Sequence, residues 1–227
     1  AERRARDRLA DIIEFARRRS PFYQRLYRPL PAGRIDVRQL PPVAKRQLMA
    51  AFGDWVTDPQ VTRVGVEAFL ADPNNVGDGY LGRYAVWTTS GTTGEPGIFL
   101  HDRDALTVYD ALYAVRFDRN PVTANLLLGR TGRVALVGAL GHYAGTASLT
   151  RQRAVNPWFA ENARVFSVCL PLDTLVAALN EFRPVWLATY PTAALILAEE
   201  QKKGRRKLKL SAVWCGGEVL GATVRQG

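Results

Sequence analysis

The sequence predicts an α/β fold: a mostly parallel sheet with helices on both faces, preceded by a helical N-terminal layer. Three observations predict it. From residue 83 onward, short apolar runs alternate with stretches of ~11–15 residues that have helical periodicity, the pattern of parallel strands joined by helices. Before that point, the first helix has apolar residues at helical spacing, and the stretch from Trp55 to about Gly82 is mixed, with a helix and a turn. The 227 residues are 47% hydrophobic, which is enough for a sizeable core. We therefore separate a helical region, 1–82, from a nucleotide-binding α/β region, 83–227.

The first predicted helix is strongly basic. Residues 1–28 contain nine arginines against four acidic residues, and Leu9, Ile12 and Ile13 form an apolar stripe at helical spacing. The Ser20-Pro21 step ends this helix, because the residue before a proline disfavours helical geometry. Two interpretations stay open: an arginine patch for nucleic acid and an ordinary solvated helix face. We favour the second.

The rest of the helical region is shorter and less regular. A proline-rich connector runs from Pro29 to Pro42, and a short helix is predicted over 45–52. A further helix is predicted over 66–70, followed by a turn at Asp72-Pro-Asn-Asn75.

The α/β region reads as strands and helices in alternation. Asp102 can cap the first of its helices, since a carboxylate accepts hydrogen bonds from the free N–H groups of a helix start. The predicted strands are 84–88, 98–101, 134–137, 165–168, 185–189 and 212–215. The predicted helices are 104–116, one ending near 153, 172–182 and 192–203.

The most specific stretch is the Thr88–Gly97 loop, T-T-S-G-T-T-G-E-P-G, between two predicted strands. Glycines let the backbone approach a ligand closely, and successive N–H groups in such a loop form an anion-binding nest. The hydroxyl groups add neutral donors, so the loop suits a polyphosphate. A plain linker is the alternative, but linkers are not held between two apolar strands. An ordinary P-loop is excluded because no lysine follows Gly97.

Three further loops follow predicted strands and should meet at one edge of the sheet. They are Gly141–Gly145, Thr189–Pro191 and Cys215–Glu218. Right-handed crossovers bring the carboxyl ends of parallel strands to the same edge, where ligands of such sheets bind. His142 could equally be a loop histidine that bonds the backbone, Gly216 and Gly217 a plain turn, and Glu218 a carboxylate at a helix start.

Charge and cysteine content narrow the class of protein. The formal net charge of +10 is compatible with nucleic acid, membrane surfaces or anionic substrates. Cys169 and Cys215 lie far apart, which fits a reducing, cytoplasmic compartment and argues against a zinc site. We expect both to be inert core residues. No apolar run approaches about eighteen residues, so we expect no membrane span.

Thr89–Pro96 resembles the phosphate-loop signature of the adenylate-forming enzymes, which include acyl-CoA synthetases, adenylation domains and luciferases. The continuation Pro96–Asp102 and the segment Leu40–Lys45 resemble the phenylacetate-CoA ligase branch. Many family members carry lysine where Gly97 stands here, and that branch often lacks it. The resemblance covers an N-terminal portion of the family, so it implies an incomplete N-terminal domain.

The resemblance also implies a set of site residues. The nucleotide phosphates would be held by Thr89, Ser90, Gly91, Thr92, Thr93 and Gly94. His142 would border the carboxylate substrate, as the assigned catalytic residue. Gly216, Gly217 and Glu218 would lie beside the adenine. We assign no metal ligand in this chain.

The activity implied is ATP-dependent activation of a carboxylic acid, aryl at the family level, as an acyl-adenylate that passes to a thiol such as coenzyme A. ATP, Mg²⁺ and coenzyme A are the implied cofactors. The family's magnesium-binding glutamate and C-terminal lysine do not occur here, so we expect an inactive fragment. The expected partners are small molecules rather than membrane or nucleic acid, and a homodimer stays open. The rival is a basic non-enzymatic module that binds nucleic acid or an acidic partner, and a nucleotide-binding remnant without chemistry is a third alternative.

Overall fold

The chain forms two compact units in a computed structural model that describes residues 2–31, 33, 35–89, 91, 95–117, 132–219 and 221. The first unit comprises 1–71 together with 90–98, and the second comprises 72–89 together with 99–227. The predicted boundary after residue 82 stays a prediction.

The first unit is built from one long helix and several short ones. Its α-helices are α1 (Glu2–Arg19), α2 (Pro21–Leu26), α3 (Lys45–Ala50), α4 (Phe52–Trp55) and α5 (Arg63–Ala71), with a 3₁₀ turn at Val37–Gln39. Ser20 separates α1 from α2 as predicted: its hydroxyl accepts from the Tyr23 N–H, and Pro21 occupies the first helical position. The same hydroxyl donates to the Asp54 carbonyl at 2.9 Å, which ties α2 to α4.

Arg17 is an exception to the interpretation of the basic helix as a solvated face, since the other described arginines of α1 are exposed. Its guanidinium donates to the carbonyls of Tyr27, Leu30 and Pro31 at 3.1, 2.9 and 3.0 Å. These carbonyls lie at and beyond the end of α2, where helices leave acceptors without partners inside the helix. Arg17 is therefore a structural residue, whereas Arg18 and Arg19 are exposed.

The second unit holds all the strands except for the first residue of β3. The strands are β1 (Gly79–Tyr80), β2 (Tyr84–Thr88), β3 (Ile98–His101), β4 (Arg133–Gly138), β5 (Ala163–Ser167), β6 (Pro184–Thr189) and β7 (Ala212–Cys215). Its α-helices are α6 (Arg103–Phe117), α7 (Ala144–Val155), α8 (Pro157–Asn162), α9 (Leu172–Phe182) and α10 (Pro191–Lys202), and a 3₁₀ turn covers Pro73–Asn75.

Two sheets organise this unit. A three-stranded sheet has the order β1-β2-β3, and a four-stranded sheet has the order β5-β4-β6-β7 with every pairing parallel. The order places β4 and β6 in the middle, where both faces are buried, and their sequences are accordingly almost continuously apolar. The predicted parallel α/β architecture is confirmed.

Each face of the four-stranded sheet has its own core. Alternate strand residues point to opposite faces, so Val137 and Leu187 pack against α9 and α10 on one side. Val134 and Trp186 belong to the other face, where side chains of α7 and α8 cover them. Helices cover both faces of the sheet, as predicted. The carboxyl ends of the strands are therefore where loops can meet a ligand.

Most predicted elements of this unit are confirmed, but the short strand β1 (Gly79–Tyr80) was not predicted, and further differences follow. Asp102 caps α6, accepting from the Ala105 N–H at 2.8 Å, as expected. The helix α8 was not predicted, although Asn156 caps it and Pro157 begins it. The strand β5 begins at Ala163, two residues early, because it continues directly from α8. Cys169 is exposed rather than buried in the core, since it lies in the turn after β5.

Candidate functional site

The carboxyl edge of the four-stranded sheet carries the predicted loops of the second unit. The loop after β4 contains His142, and its carbonyl accepts a hydrogen bond from the Thr88 N–H at 2.8 Å. Thr88 also forms an isolated parallel bridge with Tyr143. The end of β2, and with it Thr89, is thereby fixed beside the loop that carries His142.

His142 is buried, with 7% of its surface exposed. Burial lowers the pKa of its imidazole, and a hydrogen bond with the Asp72 backbone partly opposes that shift. The neutral ring is therefore favoured at pH 7. In a neutral imidazole one nitrogen donates and the other accepts. The hydrogen bond to the Asp72 backbone uses the donating nitrogen, so the other nitrogen is an acceptor and His142 brings no fixed positive charge.

Tyr190, the residue between β6 and α10, links the turns after three strands. Its hydroxyl accepts a hydrogen bond from the Ala139 N–H, beyond β4, at 3.3 Å. Its ring packs on Gly217, beyond β7: a Cβ at Gly217 would lie 2.9 Å from the ring. Gly217 also has φ of +83°, which only glycine adopts without strain. A glycine is therefore required at this position by both backbone and space.

Glu218 is engaged at the start of α10. Its carboxylate accepts from the Thr192 N–H at 3.1 Å and from the Thr192 hydroxyl at 2.9 Å. A carboxylate at this place interacts favourably with the helix dipole. The backbone of Gly216 joins the same edge, since its N–H donates to the Thr189 carbonyl at 3.1 Å. Gly216, Gly217 and Glu218 thus lie together beside Tyr190.

The Thr88–Gly97 loop connects β2 with β3. Of its six predicted phosphate-binding residues, Thr89 and Gly91 are described, whereas Ser90, Thr92, Thr93 and Gly94 lie outside the described residues. Gly91 has φ of +63°, the left-handed conformation expected where a glycine-rich backbone turns tightly. The loop leaves through Glu95–Ile98, which belongs to the first unit. There Glu95 forms an ion pair with Arg63.

No protein-family model matches the chain, and no match was found among curated proteins. Several solved structures are similar to it. One is a 2-hydroxyisobutyryl-CoA ligase in an open conformation with 2-HIB-AMP and CoA; it is 20% identical with a TM-score of 0.54, over 97% of this chain and 46% of that one. The same ligase in the thioesterification state is 24% identical over 93% of this chain and 42% of that one, with a TM-score of 0.54.

The likeness shows the fold. This chain has the fold of part of an acyl-CoA ligase, and it spans less than half the length of the ligases that it matches. A third structure of that ligase, in the postadenylation state with R3-HIB-AMP, gives the same result at 21% identity and a TM-score of 0.52.

A cleft of ≈440 Å³ lies next to the loop after β4. It is lined by Pro73 of the 3₁₀ turn and Val76 directly after it, by Gly141, and by Thr146 and Thr150 of α7, among others. His142 is not among its lining residues. That His142 borders the acyl substrate stays a prediction.

The described residues do not fit a magnesium site. Within the described part of the chain, no group of three histidine, cysteine or acidic side chains is placed to hold a metal ion. Glu218 is bonded to Thr192, and Glu95 is paired with Arg63.

The sequence missed the linking role of Tyr190 and the bond between Thr192 and Glu218. Tyr190 and Thr192 lie where β6 ends and α10 begins, a position that predicts proximity to the sheet edge. The hydrogen bond from Ala139 and the ring contact with Gly217 depend on the order of the strands in the sheet, which the sequence does not reveal.

Within the described residues, no helix is both long and apolar enough to cross a bilayer.

Proposed function

We propose that this chain is the nucleotide-binding part of an AMP-forming ligase that activates a carboxylic acid and transfers it to a thiol such as coenzyme A. The observation that carries the proposal is the Thr88–Gly97 loop, which joins β2 to β3 and has Gly91 in the left-handed conformation. The likeness to a ligase crystallised with an acyl-adenylate and CoA supports the same reading.

The proposed reaction has two steps. A carboxylate oxygen attacks the α-phosphorus of ATP, the bond to the bridging oxygen breaks, and pyrophosphate leaves with the electron pair. The thiol sulfur then attacks the acyl carbon, the thiol proton passes to solvent, and AMP leaves. Such chemistry depends mainly on positioning and on stabilising developing charge.

Each predicted site residue has a role in this scheme. The backbone N–H groups and hydroxyls of 89–94 bind the phosphates that depart as pyrophosphate. His142, held by Thr88 and by the Asp72 backbone, borders the carboxylate. The edge formed by Gly216, Gly217 and Glu218 takes the adenine, with the ring of Tyr190 beneath Gly217. An aryl acid and the phenylacetate-CoA ligase branch are the finer proposals, supported by the sequence resemblance alone.

ATP binding by the 227-residue protein tests this function. We expect Gly91→Val to abolish the heat of ATP binding in calorimetry, because a β-branched side chain strains a left-handed backbone and blocks the loop. Gly204→Val is the matched control: Gly204 has φ of +75° and open space around it, so it carries the backbone strain without the ligand. Equal ATP affinity of Gly91→Val and wild type would contradict the assignment.

A basic binding module is the second candidate, favoured by the exposed arginines of α1, such as Arg3, Arg4 and Arg8. Under this alternative the protein binds a DNA duplex or a polyglutamate with an affinity that falls steeply between 50 and 200 mM salt, as counterion release requires (about 10³-fold for six phosphate contacts). ATP binding that responds to Gly91→Val, with no such polymer binding, separates the ligase part from the basic module.

A further inference from the structure

Arg63, the first residue of α5, joins three parts of the first unit. Its Nε donates to Glu67 at 2.8 Å, one helical turn further along α5. One terminal nitrogen donates to the Met49 carbonyl in α3 at 2.9 Å. The other terminal nitrogen forms an ion pair with Glu95 of the Thr88–Gly97 loop. A planar guanidinium can hold three such partners in fixed directions, which a lysine cannot.

A second contact anchors the same end of the loop. The Ile98 N–H donates to the Met49 sulfur at 3.4 Å, and Met49 is buried with 1% of its surface exposed. Arg63 and Met49 are themselves bonded, so Glu95 and Ile98 are attached to one bonded pair. Two attachments three residues apart restrict the backbone between them, including Pro96 and Gly97.

Charge gives the contact with Glu95 a second consequence. Glu95 is the one acidic residue of the Thr88–Gly97 loop, and a carboxylate beside a polyphosphate would repel it. The charge-assisted bond to Arg63 compensates that carboxylate. With Arg63 in place, the loop offers an anionic ligand neutral donors and no unopposed negative charge.

We propose that Arg63 is a positioning residue for the nucleotide: it holds the exit of the Thr88–Gly97 loop, Glu95–Ile98, against α3 and α5 and compensates the charge of Glu95. This inference rests on the proposed function for its ligand, ATP, but not for the anchoring itself. A surface ion pair without consequence is the alternative, since the side chains of Arg63 and Glu95 are 39% and 38% exposed.

Two measurements on the 227-residue protein test the proposal: ATP affinity by calorimetry and amide hydrogen exchange of the loop exit. We expect Arg63→Gln to weaken ATP binding about fivefold, the upper range for a partly exposed ion pair, because it removes the anchor and leaves the Glu95 charge uncompensated. Glu95→Gln also removes the anchor, but it removes the repelling charge as well, so its effect on ATP affinity should be smaller. The double variant should therefore bind ATP at least as tightly as Arg63→Gln, because the two residues share one interaction. Arg63→Lys should recover part of the affinity. Exchange at Gly97 and Ile98 should become faster in Arg63→Gln.

Two variants serve as controls. Arg38→Gln breaks an exposed ion pair with Asp36 elsewhere in the first unit, and Glu67→Gln breaks the α5 arm of Arg63 only. Neither should change ATP affinity or exchange at the loop exit. A purely structural role of Arg63 would lower the melting temperature while leaving ATP affinity unchanged, and that result overturns the proposal.

The outcomes separate this inference from the proposed function. If wild type does not bind ATP, the proposed function fails, and exchange at Gly97 and Ile98 still decides whether Arg63 anchors the loop. If wild type binds ATP and both Glu95→Gln and Arg63→Gln bind it equally well, the positioning role is wrong and the function stands. Should Arg63→Gln fail to fold, hydrogen exchange at Gly97 and Ile98 in Glu95→Gln decides, because that variant leaves the bonds to Glu67 and Met49 intact. Exchange as slow as in wild type would then overturn the anchoring.

Discussion

His101 and His142 both have a pKa lowered by burial, and they are the two histidines of the protein. In the unfolded chain each would titrate near about 6.5. Just below that pH the unfolded chain binds more protons than the folded one. The contribution of the two histidines to stability is therefore fully present above that pH, and it is lost as the pH falls through their pKa values in the folded protein. We expect a lower urea midpoint at pH 5.5 than at pH 7.5.

The double variant His101→Asn/His142→Asn checks the cause of this dependence. Its urea midpoint should vary less between pH 7.5 and 5.5 than that of wild type, because the groups that titrate in this window are removed. A pH dependence as steep as that of wild type would assign the effect to other groups.

Gly217 gives a second prediction at the scale of one residue. An added Cβ would lie 2.9 Å from the Tyr190 ring at a backbone with φ of +83°. We expect Gly217→Ala to lower the free energy of unfolding by about 2–4 kcal/mol, combining left-handed strain with overpacking. The neighbouring Gly216→Ala is the matched control, since nothing lies within 4 Å of its Cβ. Urea denaturation of both variants measures the difference, and equal stabilities would contradict the packing argument.

The basic helix α1 divides into structural and exposed arginines. We expect Arg17→Gln to lower the free energy of unfolding by about 1.5–3 kcal/mol, because three carbonyls lose a charged donor. The control is Arg18→Gln/Arg19→Gln, which should change it by no more than about 0.5 kcal/mol. Chemical denaturation followed by circular dichroism compares them. If Arg17→Gln is as stable as wild type, the structural role of Arg17 is wrong, and Arg17 belongs with the exposed arginines of the solvated face.

At the scale of elements, burial decided what the sequence could predict. The strands β4 and β6 are buried on both faces, so their apolar runs were recognisable without any partner. The helix α8 has six residues and no long periodic pattern; only its Asn156 cap and Pro157 mark it. Arg17 could not be assigned, because its acceptors follow a turn whose geometry the sequence leaves open. The same limit applied to Tyr190, whose contacts cross between strands.

At the scale of the whole molecule, the prediction concerns the adenylation half-reaction. We predict that residues 1–227 catalyse no carboxylate-dependent exchange of labelled pyrophosphate into ATP, because the two site carboxylates, Glu95 and Glu218, are engaged by Arg63 and Thr192. The assay uses a panel of aryl and aliphatic acids, with 2-hydroxyisobutyryl-CoA ligase and its own acid as the positive control. Robust exchange by the 227-residue protein would mean that its catalytic groups lie within this sequence.

The site was predictable in part for a physical reason. The loops that follow parallel strands share one edge of the sheet. The alternation of strands and helices along the sequence therefore predicted that His142 and residues 216–218 lie on that edge. The sequence did not predict which atoms are in contact there. Those contacts depend on which strands are neighbours, such as β7 beside β6. The roles of these residues toward a ligand stay predictions.

The linkage through Tyr190 has a consequence for the kinetics of binding. Three strand-end turns are cross-connected by one side chain, by the Thr189 carbonyl and by the Thr192–Glu218 bond. Under the proposed function, a planar ligand at this edge would meet turns that are already cross-connected, so complex formation there would lose little conformational entropy. Association should then proceed at the rate of orientation-limited encounter, and affinity differences among related ligands should appear in their dissociation rates.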